Sequence, residues 1–181
     1  MNILLIHQNF PGQYKQLGPA LVARGNRVLA LTPNVKTSLQ WQGVEVVPYR
    51  MNRGSSKNIH RWLGDLESKI IRAESCFDAA VKIRQFFTPD VILAHPGWGE
   101  PMFLQDVWPK ARIGLYCEWY RQESQSADCF DPEFPVTKQA AAASQSQRSA
   151  ACRYGKRWDH ADKISIGKLP KDLARFDQCY S

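Results

Sequence analysis

The sequence predicts an α/β fold in which helices flank a parallel β-sheet. Short apolar runs, typical of buried strands, recur between residues 3 and 117. A loop or a segment with helical periodicity follows each run, which is the alternation that parallel sheets require. The 181 residues are 44% hydrophobic and 23% charged, and this ordinary globular composition excludes a wholly disordered chain, a collagen-like repeat and a coiled coil.

The first half of this pattern contains three strands and one helix. Residues 3–6 form an apolar run that predicts the first buried strand. Apolar side chains recur at helical spacing over residues 13–24, and a Gly-Asn pair at residues 25–26 predicts the end of that helix. Two further apolar runs, at residues 28–31 and 44–47, predict the second and third strands.

The second half begins with a long helical pattern over residues 59–87, which a proline ends at position 89. A fourth strand is predicted at residues 90–94, a short helix at residues 102–107 and a fifth strand at residues 113–117. The apolar face of the long helix is predicted to consist of Trp62, Leu66, Ile70, Phe77, Val81 and Ile83.

Charge is uneven along the chain. The net charge is +7, and residues 137–181 carry +5 of it, with 9 basic and 4 acidic residues. Alanine dominates the apolar positions after residue 140, so this part offers little to bury. We therefore predict a folded domain at residues 1–136 and an irregular or weakly helical basic tail at residues 137–181.

Composition also limits cofactors, location and partners. The five cysteines lie far apart without a C-x-x-C pair, which predicts reduced thiols and no metal site. No apolar run approaches the roughly 18 residues of a membrane helix, and the N-terminus lacks the basic region of a signal peptide. We expect a cytoplasmic protein, with peripheral membrane contact left open. No specific nucleic-acid partner is predicted, because the tail has neither an aromatic platform nor helix-turn-helix spacing.

The first candidate site is the loop that follows the first strand. Ligands bind at the carboxyl ends of parallel strands, and this position holds His7, Asn9 and Gly12. Backbone amides before a helix can hold an anion or a sugar phosphate, and a glycine permits close approach. An ordinary strand-to-helix turn is the alternative, because neither a G-x-G-x-x-G nor a Walker A sequence is present.

The second candidate site is the loop after the fourth strand, with the sequence H-P-G-W-G-E. His95 and Glu100 can hydrogen-bond hydroxyl groups or move protons, and the Trp98 ring can stack on a sugar. Gly97 and Gly99 open the loop to a ligand. A glycine-rich loop with Trp98 as a core residue is the alternative interpretation.

Two weaker candidates lie further along the chain. Glu118 follows the fifth predicted strand and is a candidate to line the same site as the two loops. The alternative interpretation of this segment is a half-buried aromatic cluster with one exposed acid. The acidic, proline-rich residues 131–135 favour a structural turn.

Four segments together carry a resemblance to a known family; they are residues 7–13, 17–21, 90–100 and 130–135. Over residues 1–136 the chain resembles the amino-terminal domain of a bacterial subgroup of family 4 glycosyltransferases. The resemblance implies a GT-B architecture, in which two Rossmann-like domains face each other across a cleft. It implies an acceptor-binding amino domain, a carboxyl domain that binds the nucleotide-sugar donor, and retaining transfer without a metal or another cofactor.

The resemblance also implies roles for individual residues. Gly12 would face the donor diphosphate, and His7 and Asn9 share its loop. His95, Trp98 and Glu100 would line the acceptor side, where a saccharide or a lipid-linked saccharide would bind. Glu118 matches a catalytic-site position of the family by location only.

The sequence departs from the family in the donor half, since no two of its glutamates stand eight positions apart. We therefore expect a truncated or split glycosyltransferase that is inactive alone. A non-catalytic module that pairs with a separate donor-domain chain is one alternative, and a basic adaptor for nucleic acid or membrane is another. The tail after Val136 is either native or an out-of-frame translation.

Overall fold

The computed structural model describes residues 1–116, which contain six strands and three α-helices. In chain order these are β1 (Asn2–Ile6), α1 (Leu17–Ala23), β2 (Arg27–Thr32), β3 (Leu39–Trp41), β4 (Val44–Pro48), α2 (Gly64–Ile83), β5 (Val91–Ala94), α3 (Leu104–Val107) and β6 (Arg112–Leu115). Short 3₁₀ turns lie at Gly12–Tyr14, Pro96–Trp98 and Glu100–Phe103.

The six strands form a single sheet in the order β3-β4-β2-β1-β5-β6. Every neighbouring pair is parallel except β3 and β4, which are antiparallel. Helices cover both faces of the sheet, which gives a Rossmann-like α/β arrangement. The predicted fold class is confirmed, and all five predicted strands are present. The last residue of the fifth predicted strand, Cys117, lies outside the described residues, as does the boundary predicted near Val136.

Each face of the sheet contributes to its own hydrophobic core. Alternate strand residues such as Leu4 and Leu29 pack under α2 and α3, whereas Leu5 and Ala30 pack under α1 with Tyr14. All five side chains are at most 2% exposed. The sheet is therefore buried on both sides, which explains why its strands appear in the sequence as continuous apolar runs.

The first helix is shorter than predicted, but its predicted end is confirmed. Gly25 has a φ of +76°. Its N–H donates to the Val22 carbonyl at 2.8 Å, and the Asn26 N–H donates to the Leu21 carbonyl at 3.3 Å. These two bonds satisfy carbonyls at the end of α1 that have no partner within the helix.

The predicted apolar face of the long helix is partly wrong. Ile70 and Val81 are 39% and 46% exposed, although the prediction placed both against the core. From α2, Cys76, Ala80 and Ile83 belong to the main core, and Phe77 and Ala79 pack against it. Ala73 is also fully buried. Small side chains let a helix lie close to a sheet. The prediction was right for Phe77 and Ile83. At Ile70 and Val81 it followed side-chain size, whereas close packing placed smaller residues of α2 against the sheet.

The antiparallel edge strand β3 was not predicted. It is three residues long, which is too short for a periodicity to be recognised. It joins β4 through a two-residue turn in which Gln42 and Gly43 have φ values of +47° and +83°. A Gln-Gly pair between two apolar residues was the available signal for this hairpin.

Within residues 1–116, no helix is long and apolar enough to cross a membrane. In the same part of the chain, no three His, Cys, Asp or Glu side chains come together in a group that would hold a metal ion. Cys76 is a free, buried thiol, and burial raises its pKa well above the usual value.

Candidate functional site

Two histidines stand side by side at the carboxyl edge of the sheet. β1 and β5 are neighbours, and their last register pair joins Ile6 to Ala94. His7 and His95 are the next residue of each strand, so the sheet brings the two predicted loops together. The centroids of their rings are 6.3 Å apart and the rings are nearly perpendicular, at 78°.

The two imidazoles are fixed by the same local hydrogen bond. The Asn9 N–H donates to His7 Nδ1 at 3.0 Å, and the Gly97 N–H donates to His95 Nδ1 at 3.0 Å. Because Nδ1 accepts in both rings, the neutral form of each carries its proton on Nε2. Both histidines are therefore arranged as hydrogen-bond donors through Nε2.

A glycine lies against each histidine ring. Gly12 has a φ of +42°, and a Cβ built there would lie 2.7 Å from His7 Nδ1. A Cβ at Gly97 would lie 2.8 Å from His95 Cε1. The loops after β1 and β5 thus fold closely over their own imidazoles, and a Cβ at either position would push against the ring. At Gly12 the positive φ is a second reason for glycine.

Trp98 lies on the rim of the site. It is 40% exposed, so it is not the core residue that the alternative interpretation proposed. Its ring centroid is 5.9 Å from that of His95, with the planes tilted by 34°. The Arg72 guanidinium carbon lies 5.9 Å from the Trp98 ring centroid. An aromatic face, an imidazole and a cation therefore meet at the rim.

Glu100 is buried beneath this rim, with only 2% of its surface exposed. The chain reaches it through Gly99, which has a φ of +96° and lies so close to α2 that a Cβ would come within 2.5 Å of the Lys69 carbonyl oxygen. The Tyr49 hydroxyl donates to Glu100 Oε1 at 2.8 Å. Burial raises the pKa of Glu100, although Tyr49, Arg72 and His95 oppose this rise. Burial, followed by the nearby Glu100 charge, also raises the pKa of Tyr49.

Three residues of the site were not predicted from the sequence. Tyr49 follows β4, and Arg72 lies on α2, where it also contacts the Gln8 side-chain oxygen. Tyr14 is 2% exposed, and within residues 1–116 its buried hydroxyl has no hydrogen-bond partner. Burial raises the pKa of Tyr14, with smaller contributions from Tyr116 and Glu100. No local motif marks Tyr49 and Arg72, because both reach the site through long-range packing. Tyr14 lies in the 3₁₀ turn of the same loop as His7, but its apolar spacing predicted only a helix residue.

The other predicted site residues are placed less centrally or fall outside the structure. Asn9 is exposed, and its described contribution is the backbone N–H on His7. Glu118 and residues 131–135 lie outside the described residues, so their predicted roles stay predictions.

Comparison with known proteins gives one family. A sequence model described as the glycosyl transferase family 4 group matches residues 24–161, which is more than half of the chain. The matched range includes Tyr49, α2 and the loop at residues 95–100. None of the curated proteins matches the chain.

Proposed function

The chain belongs to the glycosyl transferase family 4 group, and from this membership we propose that residues 1–116 bind the acceptor of a glycosyl transfer. The observation that carries the proposal is the meeting of His7, His95 and Trp98 at the carboxyl edge of two adjacent parallel strands. This edge is where sheets of this kind bind ligands.

The chemistry of the rim suits a sugar. The exposed face of Trp98 offers a stacking surface for the apolar side of a pyranose ring. His95 offers an Nε2–H donor beside it, which suits recognition of a hydroxyl oxygen better than removal of a proton. Arg72 supplies a cation at the same rim. We propose a saccharide or a lipid-linked saccharide as the acceptor.

We assign Glu100 a positioning role beneath the acceptor. Its carboxylate is buried and bonded to Tyr49, so the loop that carries His95 and Trp98 is anchored from below. The donor we propose is a nucleotide sugar whose diphosphate approaches the exposed Gly12 backbone, and the transfer we propose is retaining. Because we assign acceptor binding to residues 1–116, binding of the acceptor can be measured without the donor.

Saccharide binding by the full 181-residue chain tests this proposal. Saturation-transfer NMR with a panel of neutral hexoses, N-acetylhexosamines and uronic acids should show a bound sugar. Trp98→Ala should weaken that binding about tenfold, as expected for loss of one stacking surface. Phe86→Ala is the matched control, because Phe86 is an exposed aromatic residue that follows α2 at the opposite edge of the sheet.

Two outcomes would contradict the acceptor assignment. One is the absence of binding to any member of the panel, and the other is an equal effect of the Trp98 and Phe86 variants. Mass spectrometry after addition of nucleotide sugars distinguishes an enzyme from a binding module. A bound saccharide that gains no mass with any donor would favour the non-catalytic module.

A further inference from the structure

The segment between β4 and α2 is strongly basic. We call residues 50–63 the basic loop. In these fourteen residues there are four cations and no acidic residue. The cations are Arg50, Arg53, Lys57 and Arg61. All four are exposed, which gives the loop a concentrated positive charge toward solvent.

One acidic residue of α2 fixes the conformation of the basic loop. The Glu67 carboxylate accepts hydrogen bonds from the Ser56 N–H at 2.8 Å and from the Ser56 hydroxyl at 2.6 Å. It also pairs with Arg53 Nη1 at 3.2 Å. Among residues 1–116, Arg50, Lys57 and Arg61 form no ion pair. Three cations are therefore presented on a loop that is tied to the helix.

Exposed apolar side chains stand at both ends of the loop. Met51 and Leu63 are each 48% exposed. Trp62, next to Leu63, is half-buried, and its ring contacts His60 edge-on at 5.6 Å and Arg61 at 5.9 Å. Cations combined with exposed apolar side chains are the pattern of a surface that lies in the head-group region of a bilayer.

The basic loop borders the same edge of the sheet as the candidate site. It leaves β4 at its carboxyl end and enters α2 at its amino end. The first turns of α2 then pass the site, since the Lys69 backbone packs on Gly99 and Arg72 contacts Gln8 and Trp98. A surface bound to the loop would therefore lie next to the rim.

We propose that the basic loop binds the surface of an anionic lipid bilayer. Arg50, Lys57 and Arg61 contact lipid phosphates, and Met51 and Leu63 enter the interface between head groups and acyl chains. Lipid is favoured over nucleic acid because the exposed aliphatic side chains can bury apolar surface at the boundary with the acyl chains. Its one tryptophan ring is already in contact with His60 and Arg61, so it does not offer a free stacking platform.

Vesicle co-sedimentation of the full chain tests this proposal independently of sugar binding. Vesicles of phosphatidylcholine with phosphatidylglycerol should bind the protein, and vesicles of pure phosphatidylcholine should not. The triple variant Arg50→Ser, Lys57→Ser, Arg61→Ser should weaken partitioning about a hundredfold, at roughly one power of ten for each one or two cations removed. The matched control is Arg148→Ser, Arg153→Ser, Arg157→Ser, which removes the same charge from the tail.

A second variant separates lipid from other polyanions. Met51→Ser with Leu63→Ser keeps the charge and should weaken vesicle binding about tenfold, while leaving heparin binding unchanged. The proposal is overturned if only the tail variant loses vesicle binding, or if neutral vesicles bind equally well. It is also overturned if the apolar variant binds vesicles as the parent does. Circular dichroism of each variant confirms that it is folded.

Discussion

The Tyr49 hydroxyl donates a 2.8 Å hydrogen bond to Glu100 Oε1, although the two residues lie 51 positions apart. Tyr49 follows β4 and Glu100 belongs to the loop after β5, so this bond spans the carboxyl ends of β2 and β1. Both side chains are only 2% exposed. The rim that carries His95 and Trp98 is thus anchored to the carboxyl end of β4, which lies three strands away from β5.

Removing the Glu100 carboxylate should destabilise the fold. Glu100→Ala leaves the buried Tyr49 hydroxyl without its acceptor, which typically costs about 1–3 kcal/mol. Glu100→Gln keeps an acceptor oxygen and should change the free energy of unfolding much less at low pH. Urea unfolding monitored by tryptophan fluorescence measures both variants. If both variants lose the same free energy of unfolding, the hydrogen bond from Tyr49 to the side-chain oxygen at position 100 does not stabilise the fold.

The stability difference between Glu100→Gln and the parent should depend on pH. The pKa of Glu100 is raised from 4.5 in the folded state, mainly by burial. The folded parent therefore binds this proton more tightly than the unfolded chain does, and it loses stability as pH rises from below 4.5 through the raised pKa. The glutamine variant lacks this loss. The free energy of unfolding of the glutamine variant, minus that of the parent, should therefore increase from pH 4 to pH 8. A flat or decreasing difference would contradict the burial of a charged group.

Three Gly→Ala changes should have graded effects. Gly99→Ala should be the most damaging, at about 2–4 kcal/mol, because φ is +96° and the new Cβ would meet the Lys69 carbonyl. Gly97→Ala should leave stability nearly unchanged but weaken saccharide binding, since its Cβ would displace the His95 ring. Gly54→Ala is the control, because nothing lies within 4 Å of its Cβ position. Thermal unfolding and saturation-transfer NMR measure the two effects, and reduced sugar binding in Gly54→Ala would sink this reasoning.

Tyr14→Phe should stabilise the protein by about 1 kcal/mol. The Tyr14 hydroxyl is buried without a partner among residues 1–116, and such a group loses hydration without compensation. Tyr49→Phe is the contrasting variant and should destabilise, since it removes the bond to Glu100. Denaturant unfolding compares the two. If Tyr14→Phe instead lowers stability, the Tyr14 hydroxyl is not an uncompensated buried group.

The sequence was most informative where burial produces continuous patterns. Strands covered on both faces, such as residues 3–6 and 28–31, appear as apolar runs and were located within one residue at each end. β3 is short and solvent-facing, so its sequence carries no comparable pattern. The burial of Ala73 in place of Ile70 depends on how closely α2 approaches the sheet, which periodicity cannot reveal.

The same distinction holds for the candidate site. His7 and His95 were found because each directly follows a recognisable strand, and the ends of parallel strands lie on one edge. Arg72 contacts Gln8 across 64 positions of sequence. Such a contact arises only when α2 packs on the sheet, so a single sequence gives no local signal for it.

The register of β1 and β5 has a consequence for engineering ligand specificity at the candidate site. His7 and His95 directly follow the register pair of Ile6 and Ala94, so both start from the ends of adjacent strands. Insertions placed after Gly12 or after Gly97 keep the Asn9 and Gly97 N–H groups that bond to the two imidazoles. Loops of different length can therefore be grafted at these two points, with the pair of imidazoles kept as a constant reference for the new ligand.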